Sequence, residues 1–427
     1  MVDAAPPHRW LLGPPARPGD EPDFSWLHVP PAGSVGRPDP DVPAGDVRDL
    51  ASTLVRVLDD DGDAVGPWDP HLEADELRQA LRSMLATRAY DARMLSAQRQ
   101  GKTSFYVSST GEEAVSVGQA MVFRAGDMYF PTYRQQGFLI ARGYPLVTMM
   151  CQVLSNEKDP LRGRQMPVMY ASRDAGFFSV SGNLATQFVQ AVGWAMAEAI
   201  TGGDAVAFGT VGEGATAEGD VHHGLTFAAV YRPPVVLNIV NNQWAISSFQ
   251  TVAGGGEATF AQRGTGYGLH SLRADGNDLL AVVGVTRWAV ERARAGLGPT
   301  LVEWVTYRGA AHSTSDDPSR YRPADEWEAW PLGDPVERLR EHLVRLGEWD
   351  DDRHAALLAR VDADVAAAAA EAESYGTLLD DRHADPRTMF DDVHAELHPS
   401  LRRQRDQLSA ELEARSAGRR EEREAAP

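Results

Sequence analysis

Between Gly212 and Ser247 the chain reads GEGATAEGDVHHGLTFAAVYRPPVVLNIVNNQWAIS, and its first three residues pose a chemical question. A tight Gly-x-Gly turn between a strand and a helix exposes backbone N–H groups that suit a phosphate. This turn carries a carboxylate, Glu213, at its centre. Either the loop binds no phosphate, or a cation sits between the two negative charges. Asn242 follows 29 residues later, the length of one strand–helix–strand unit, so both residues reach the same rim of a parallel sheet. A carboxylate, an amide oxygen and a free backbone carbonyl are hard oxygen donors. They suit Mg2+ or Ca2+, whose remaining positions water and diphosphate oxygens can fill. A nucleotide-binding loop is a poorer reading, because no Gly-Lys-Ser/Thr follows the turn and no G-x-G-x-x-G begins there. His222 and His223 are adjacent on a helix and point about 100° apart, so they read as exposed helix residues and not as a ligand pair.

The elements that must position these residues are legible nearby. DAVAFGT (204–210), PVVLNIV (234–240) and PTLVEWVTY (299–307) are continuous apolar, β-branched runs, as in buried parallel strands. AEGDVHHGLTFAAVY lies between the first two as a helix, and ADELRQALRSMLATRAYDARMLSAQRQ (74–100) has apolar residues at helical spacing. The predicted fold class is therefore α/β, a parallel sheet flanked by helices. Residues 1–70 are rich in proline and glycine and read as an extended arm, either disordered or laid across a neighbour's surface. Residues 71–330 hold the α/β domain, and residues 331–427 are helical and charged. The last stretch, 400–427, is expected to fray.

Composition bounds the function. With 41 Lys+Arg against 61 Asp+Glu the formal charge is −20, which argues against nucleic acid or a membrane surface as partner. Cys151 is the only cysteine, so no internal disulfide forms, and it reads as a small buried hydrophobe in a reducing, cytoplasmic setting. The N-terminal MVDAAPPHRWLLGPPARPGDEPDF is broken by prolines and resembles neither a signal peptide nor a transit helix.

Gly212-Glu213-Gly214 followed by Asn241-Asn242 resembles the thiamine diphosphate-binding motif. YFPTYRQQG, RGRQMPVMY, SGNLATQFVQAVG, NNQWAIS, ADGNDLLAV and AHSTSDDPSRYRPADEW occur in register with it. Together they resemble the α subunits of the branched-chain 2-oxo acid dehydrogenase family, from about Phe24 to about Leu408. The resemblance implies the thiamine diphosphate-binding fold. It also implies oxidative decarboxylation of branched-chain 2-oxo acids, with reductive acylation of a lipoyl group on a partner acyltransferase. A β subunit is implied as partner, in a heterotetramer of two α and two β, because the chain has room for only the diphosphate half of the cofactor site. Pyruvate and acetoin dehydrogenase α subunits share the same frame. A non-catalytic scaffold or a nucleotide-binding protein is the reading from another class.

Residue by residue, the resemblance assigns Glu213, Asn242 and the main-chain carbonyl of Trp244 as Mg2+ ligands. Tyr133 and Arg134 match diphosphate contacts, apt for a guanidinium that makes paired bonds to phosphate oxygens. Gly182, Leu184, Gly212, Gly214, Ala215 and Ile246 match cofactor-lining positions. Ser181, Asn183, Thr186 and Gln187 match a structural potassium site, with Asn183 where that pattern has proline. His312 matches the active-site histidine, suited to donating to a diphosphate or shuttling a proton, and Tyr133 and Ser313 complete the expected catalytic set. Ser313 matches the serine that a dedicated kinase modifies in animal forms; its plainer role is to order the loop. Val240 stands where some relatives place a phosphate-binding arginine, which leaves more of that work to Arg134 and His312.

Overall fold

In the computed structural model, residues 13–380 and 382–424 are described, with side chains up to 414. Five parallel strands form one sheet in the order β1-β2-β3-β7-β6. They are β1 (Met128–Phe130), β2 (Ala207–Gly212), β3 (Val235–Asn241), β6 (His270–Asp275) and β7 (Thr300–Val305). A two-stranded antiparallel hairpin, β4 (Trp244–Ala245) and β5 (Ser248–Phe249), follows β3 directly. The helices are α1 (Ala74–Arg99), α2 (Glu113–Val122), α3 (Gln136–Ala141), α4 (Leu146–Leu154), α5 (Thr186–Thr201) and α6 (Gly219–Tyr231). The chain continues through α7 (Gln262–Gly266), α8 (Leu279–Arg294), α9 (Pro335–Arg345), α10 (Asp351–Ser374) and α11 (Pro399–Glu424).

Strand periodicity sorts the core. Val235, Leu237 and Ile239 of β3 pack on one face with Phe188 and Ala191 of α5 and Val221 and Leu225 of α6. Val236 and Val240 face the other way, into a larger core that includes residues of α1, α2, α8, α9 and α10. Successive side chains of a strand point to opposite faces, so a buried parallel strand must be apolar throughout. The exceptions on β3 are Asn238 and, at its end, Asn241, and Asn238 is saturated. Its Oδ1 accepts from Gln119 and from the Trp304 indole, both at 2.9 Å, and its Nδ2 donates to the Gly209 carbonyl at 3.3 Å.

Helices α9 and α10 share this core through Leu339, Leu343, Leu357 and Val361, so they pack onto the α/β domain. Residues 1–12 and 425–427 lie outside the described residues, as does any judgement on their order. The described part of the arm, from residue 13, packs on the chain's own domain in place of the disorder that its composition also allowed. The reason is apolar anchoring. Phe24 meets Trp330 edge-on at 5.3 Å, Trp26 meets Phe249 at 5.7 Å, and Leu27 is buried. Further on, Val55 bridges Ala274 beside β6. Asp278 caps α8 with one oxygen and accepts the N–H groups of Val57 and Leu58 with the other, at 2.8 and 2.6 Å. That carboxylate ties the arm to the start of α8. Cys151 is buried in the core, and His222 and His223 are exposed on α6. Among the described residues no helix is long and apolar enough to cross a membrane.

Candidate active site

Because all five strands are parallel, their carboxyl ends meet at one edge of the sheet, where ligands bind in such folds. Four strands deliver side chains to a cavity of about 440 Å3 at that edge. Tyr133 and Arg134 follow β1, Glu213 follows β2, Asn242 follows β3 and His312 follows β7; all five line the cavity. Leu184, Gly212, Gly214, Ala215, Trp244 and Ile246 line it as well. Gly182 and Ser313 do not. Gly182 sits near the Met169 side chain, and the Ser313 Oγ accepts the N–H of Ser315 in a turn.

Two glycines show why the loop after β2 has this sequence. A Cβ on Gly214 would lie 2.3 Å from that of Ala245, so only glycine lets the loop approach the β4–β5 hairpin. A Cβ on Gly212 would meet no protein atom, so its backbone borders open space. Across the hairpin, Ile246 adopts φ +56°, a left-handed conformation costly for a β-branched residue. Its side chain is 54 % exposed while lining the cavity. Arg308 holds this bend, donating to the carbonyls of Trp244 at 2.7 Å and Ile246 at 2.9 Å.

The electrostatics of the cavity suit a cation. Glu213 is 2 % exposed, and its Oε1 is buried without a hydrogen-bond partner; its Oε2 accepts only the Asn242 N–H, at 3.4 Å. Burial, with the nearby Glu112 carboxylate, pushes the Glu213 carboxyl up to about 7. An orphaned buried carboxylate oxygen is costly unless something charged meets it. The donors beside it fit a hard divalent ion: the Asn242 amide oxygen and the Trp244 carbonyl, each with a lone pair beyond its present bond. Among the described residues no group of three or more His, Cys, Asp or Glu could hold a metal. The set here is one carboxylate and neutral oxygens, which leaves positions for anionic phosphate oxygens.

Also lining the cavity, Arg134 is buried and held in place by several partners. It donates to the Ser108 carbonyl at 2.6 Å, to the His312 carbonyl at 2.7 Å and to His312 Nδ1 at 3.0 Å, and its Nε lies 3.8 Å from Glu112. An arginine can only donate, so Nδ1 of His312 is the acceptor and Nε2 carries the proton. Burial and the Arg134 and Arg308 cations lower the imidazole pKa to about 3, so the ring is neutral at physiological pH. The loop of His312 is pinned by a network that the sequence did not reveal. Asp316 accepts the His312 N–H at 2.7 Å and the Tyr321 hydroxyl at 2.6 Å, while Arg308 donates to that hydroxyl at 2.6 Å. Arg322 adds a bond to the Arg308 carbonyl at 2.7 Å.

Two residues at the site escaped the sequence reading. Glu112 lines the cavity and accepts from Asn242 Nδ2 at 2.6 Å. Arg308 lies four residues before His312. In GEEA, nothing distinguishes Glu112 from Glu113, which turns away to pair with Arg88 at 2.8 Å.

Comparison with known proteins identifies the family. A family model described as "Dehydrogenase E1 component" matches residues 81–379. A second, "2-oxoisovalerate dehydrogenase E1 alpha subunit N terminal", matches residues 13–45. The chain is 58 % identical over 408 residues to the 2-oxoisovalerate dehydrogenase subunit alpha of Pseudomonas aeruginosa, covering 96 % of this chain and 100 % of that one. It is 39 % identical over 362 residues to the mitochondrial 2-oxoisovalerate dehydrogenase subunit alpha of Mus musculus, covering 84 % of this chain and 80 % of the mouse protein. It is 36 % identical over 375 residues to the 3-methyl-2-oxobutanoate dehydrogenase subunit alpha of Mycobacterium tuberculosis, covering 87 % of this chain and 97 % of that one. The chain belongs to the dehydrogenase E1 component family, among its 2-oxoisovalerate dehydrogenase alpha subunits.

Proposed function

We propose that this chain forms the diphosphate-binding half of the active site in a branched-chain 2-oxo acid dehydrogenase, and that a β subunit completes it. Membership of the family implies thiamine diphosphate as cofactor, a β subunit as partner and a complex with an acyltransferase. The observation that carries the reading is the orphaned, buried Oε1 of Glu213 in a cavity also lined by Asn242, Trp244, Arg134 and His312. Glu213, Asn242 and the Trp244 carbonyl would hold Mg2+, and the ion would in turn bind the diphosphate. Arg134, Tyr133 and the Nε2–H of His312 would supply donors to the same anion. Leu184, Ala215 and Ile246, with the backbone of Gly212 and Gly214, would line its path. When bound, the cofactor supplies the electron sink for decarboxylation. His312, being neutral, donates a hydrogen bond without adding charge where substrate and lipoyl group must approach. Gly182 and Ser313, off the cavity, would act through their loops.

A structural K+ has support of its own. Ser181 Oγ and Thr186 Oγ1 both lie close to the Asn183 carbonyl, at 3.2 and 3.1 Å, and the Gln187 Oε1 is buried without a partner. We place the assembly as two α and two β subunits in the cytoplasm.

The test is reconstitution with the β subunit and a lipoyl domain, using a panel of 3-methyl-2-oxobutanoate, its leucine- and isoleucine-derived counterparts, and pyruvate. The assembly should decarboxylate the branched acids best, and the chain alone should decarboxylate none. Preference for pyruvate would move the assignment to the pyruvate branch. Turnover by the isolated chain would refute the divided site.

A further inference from the structure

Glu112 touches the site from a helix with no part in the scheme above. It is 2 % exposed at the start of α2, reached through a loop whose Gly111 has φ +101°. A Cβ on Gly111 would fall 1.9 Å from the Tyr307 carbonyl oxygen, so only glycine brings the loop against the end of β7. Glu112 Oε1 then stands 2.6 Å from Asn242 Nδ2. Resting on the reading of the previous section, we propose that Glu112 is a positioning residue. It fixes which end of the Asn242 amide faces the metal loop.

The chemistry is one of donors and acceptors. A side-chain amide is nearly symmetrical in shape, so its orientation follows from its partners. Asn242 has two. The Glu112 carboxylate can only accept, which demands the NH2 end, and the Trp244 N–H, at 3.2 Å, demands the oxygen. Reversed, the amide would set oxygen against carboxylate on one side and N–H against N–H on the other. Both contacts would be repulsive at these distances. The correct orientation presents Oδ1 on the side of the Trp244 main chain, where a metal would take it. A carboxylate acceptor makes this bond stronger than a neutral one. Outer partners that orient metal ligands are worth roughly 10–100-fold in metal affinity.

Glu112 also faces Arg134, whose Nε lies 3.8 Å away, so loss of that pairing must be told apart from loss of amide orientation. Two variants do so in the α–β assembly freed of Mg2+. Glu112→Ala removes both the charge and the acceptor. Glu112→Gln removes the charge but keeps an oxygen that can accept from Asn242. Mg2+ is titrated at saturating thiamine diphosphate and followed by tryptophan fluorescence. Glu112→Ala should weaken Mg2+ by roughly 10–100-fold, while Glu112→Gln should stay within about threefold of wild type. Adding Glu112→Ala to Asn242→Ala should change little further, since the ligand being oriented is already gone. Wild-type Mg2+ affinity in Glu112→Ala, equal losses in Ala and Gln, or additive losses in the double variant would each overturn the proposal. If Asn242→Ala alone binds Mg2+ like wild type, the metal-site reading itself fails, and this inference fails with it.

Discussion

Replacing Glu213 by Gln should stabilise the cofactor-free protein at pH 8, although the residue stands at the centre of the site. Its carboxyl is buried and raised from the usual 4.5 to about 7, first by burial and further by the Glu112 carboxylate. The sign follows from proton binding. A carboxyl with a higher pKa folded than unfolded holds its proton more tightly in the native state. Stability therefore falls as pH rises from 4.5 towards 7, and the whole deficit is present above that window. At 1.36 kcal/mol per pKa unit, the interval amounts to about 3 kcal/mol. Gln keeps the shape and carries no charge, so the variant should recover most of this. Thermal melts of the apo α–β assembly at pH 5 and pH 8 provide the assay, and the difference between the two proteins is the quantity of interest. Wild type should lose more stability between those pH values than Glu213→Gln. Added Mg2+ and thiamine diphosphate should then raise the wild-type melting point and leave the variant's nearly unchanged. Superimposable pH profiles would refute the argument, because they would mean that Glu213 is charged in the apo site at no cost.

Four further outcomes follow from the geometry. His312→Ala should impair acylation of a lipoyl domain more than reduction of an artificial electron acceptor; equal, wild-type rates would reduce His312 to a loop residue. Because its pKa is held near 3 by burial and by Arg134 and Arg308, cofactor binding by wild type and His312→Gln should vary alike between about pH 5.5 and 8; a step present only in wild type would contradict the neutral ring. Tyr321→Phe leaves Asp316 and Arg308 without the hydroxyl that joins them, worth about 1–3 kcal/mol, so the amides of residues 308–322 should exchange faster; unchanged protection would rule the network out as the loop's anchor. Gly111→Ala combines a left-handed φ with a backbone clash and should cost about 2–4 kcal/mol by chemical denaturation, where a loss below about 1 kcal/mol would be inconsistent with the packing.

What the sequence showed depended on whether the signal was local. The unit from β2 through α6 to β3 was legible, because continuous apolar runs and a helix of fixed length depend on neighbours along the chain. The bounds of α1 agree with the apolar spacing of 74–100 to within one residue at its C-terminal end. Strand β1, with three residues, is too short to announce itself. Strand β6 reads HSLRAD, and its charges make sense only in three dimensions: Arg273 lies 3.6 Å from Glu303, and Asp275 is 2.7 Å from Arg338. The arm's fate was hidden for the same reason. Proline content predicted extended backbone correctly, yet the aromatic residues that receive Phe24 and Trp26 lie more than 200 positions away. At the site, Glu213 and Asn242 were visible through motif spacing, and His312 through the family resemblance. Glu112 and Arg308 were not, because each acts through a tertiary contact with no sequence period.

The central claim is that this cavity binds thiamine diphosphate through a metal held by Glu213 and Asn242, and that a second subunit is needed to finish the site. Equilibrium titration of thiamine diphosphate, with and without Mg2+, tests it most directly on four samples: the α–β assembly, the isolated chain, and assemblies carrying Glu213→Ala or Asn242→Ala. The wild-type assembly should bind tightly only with Mg2+, the isolated chain weakly or not at all, and both folded variants should lose the metal-dependent gain. Equal affinity in all four samples, or affinity indifferent to Mg2+ in wild type, would contradict the account.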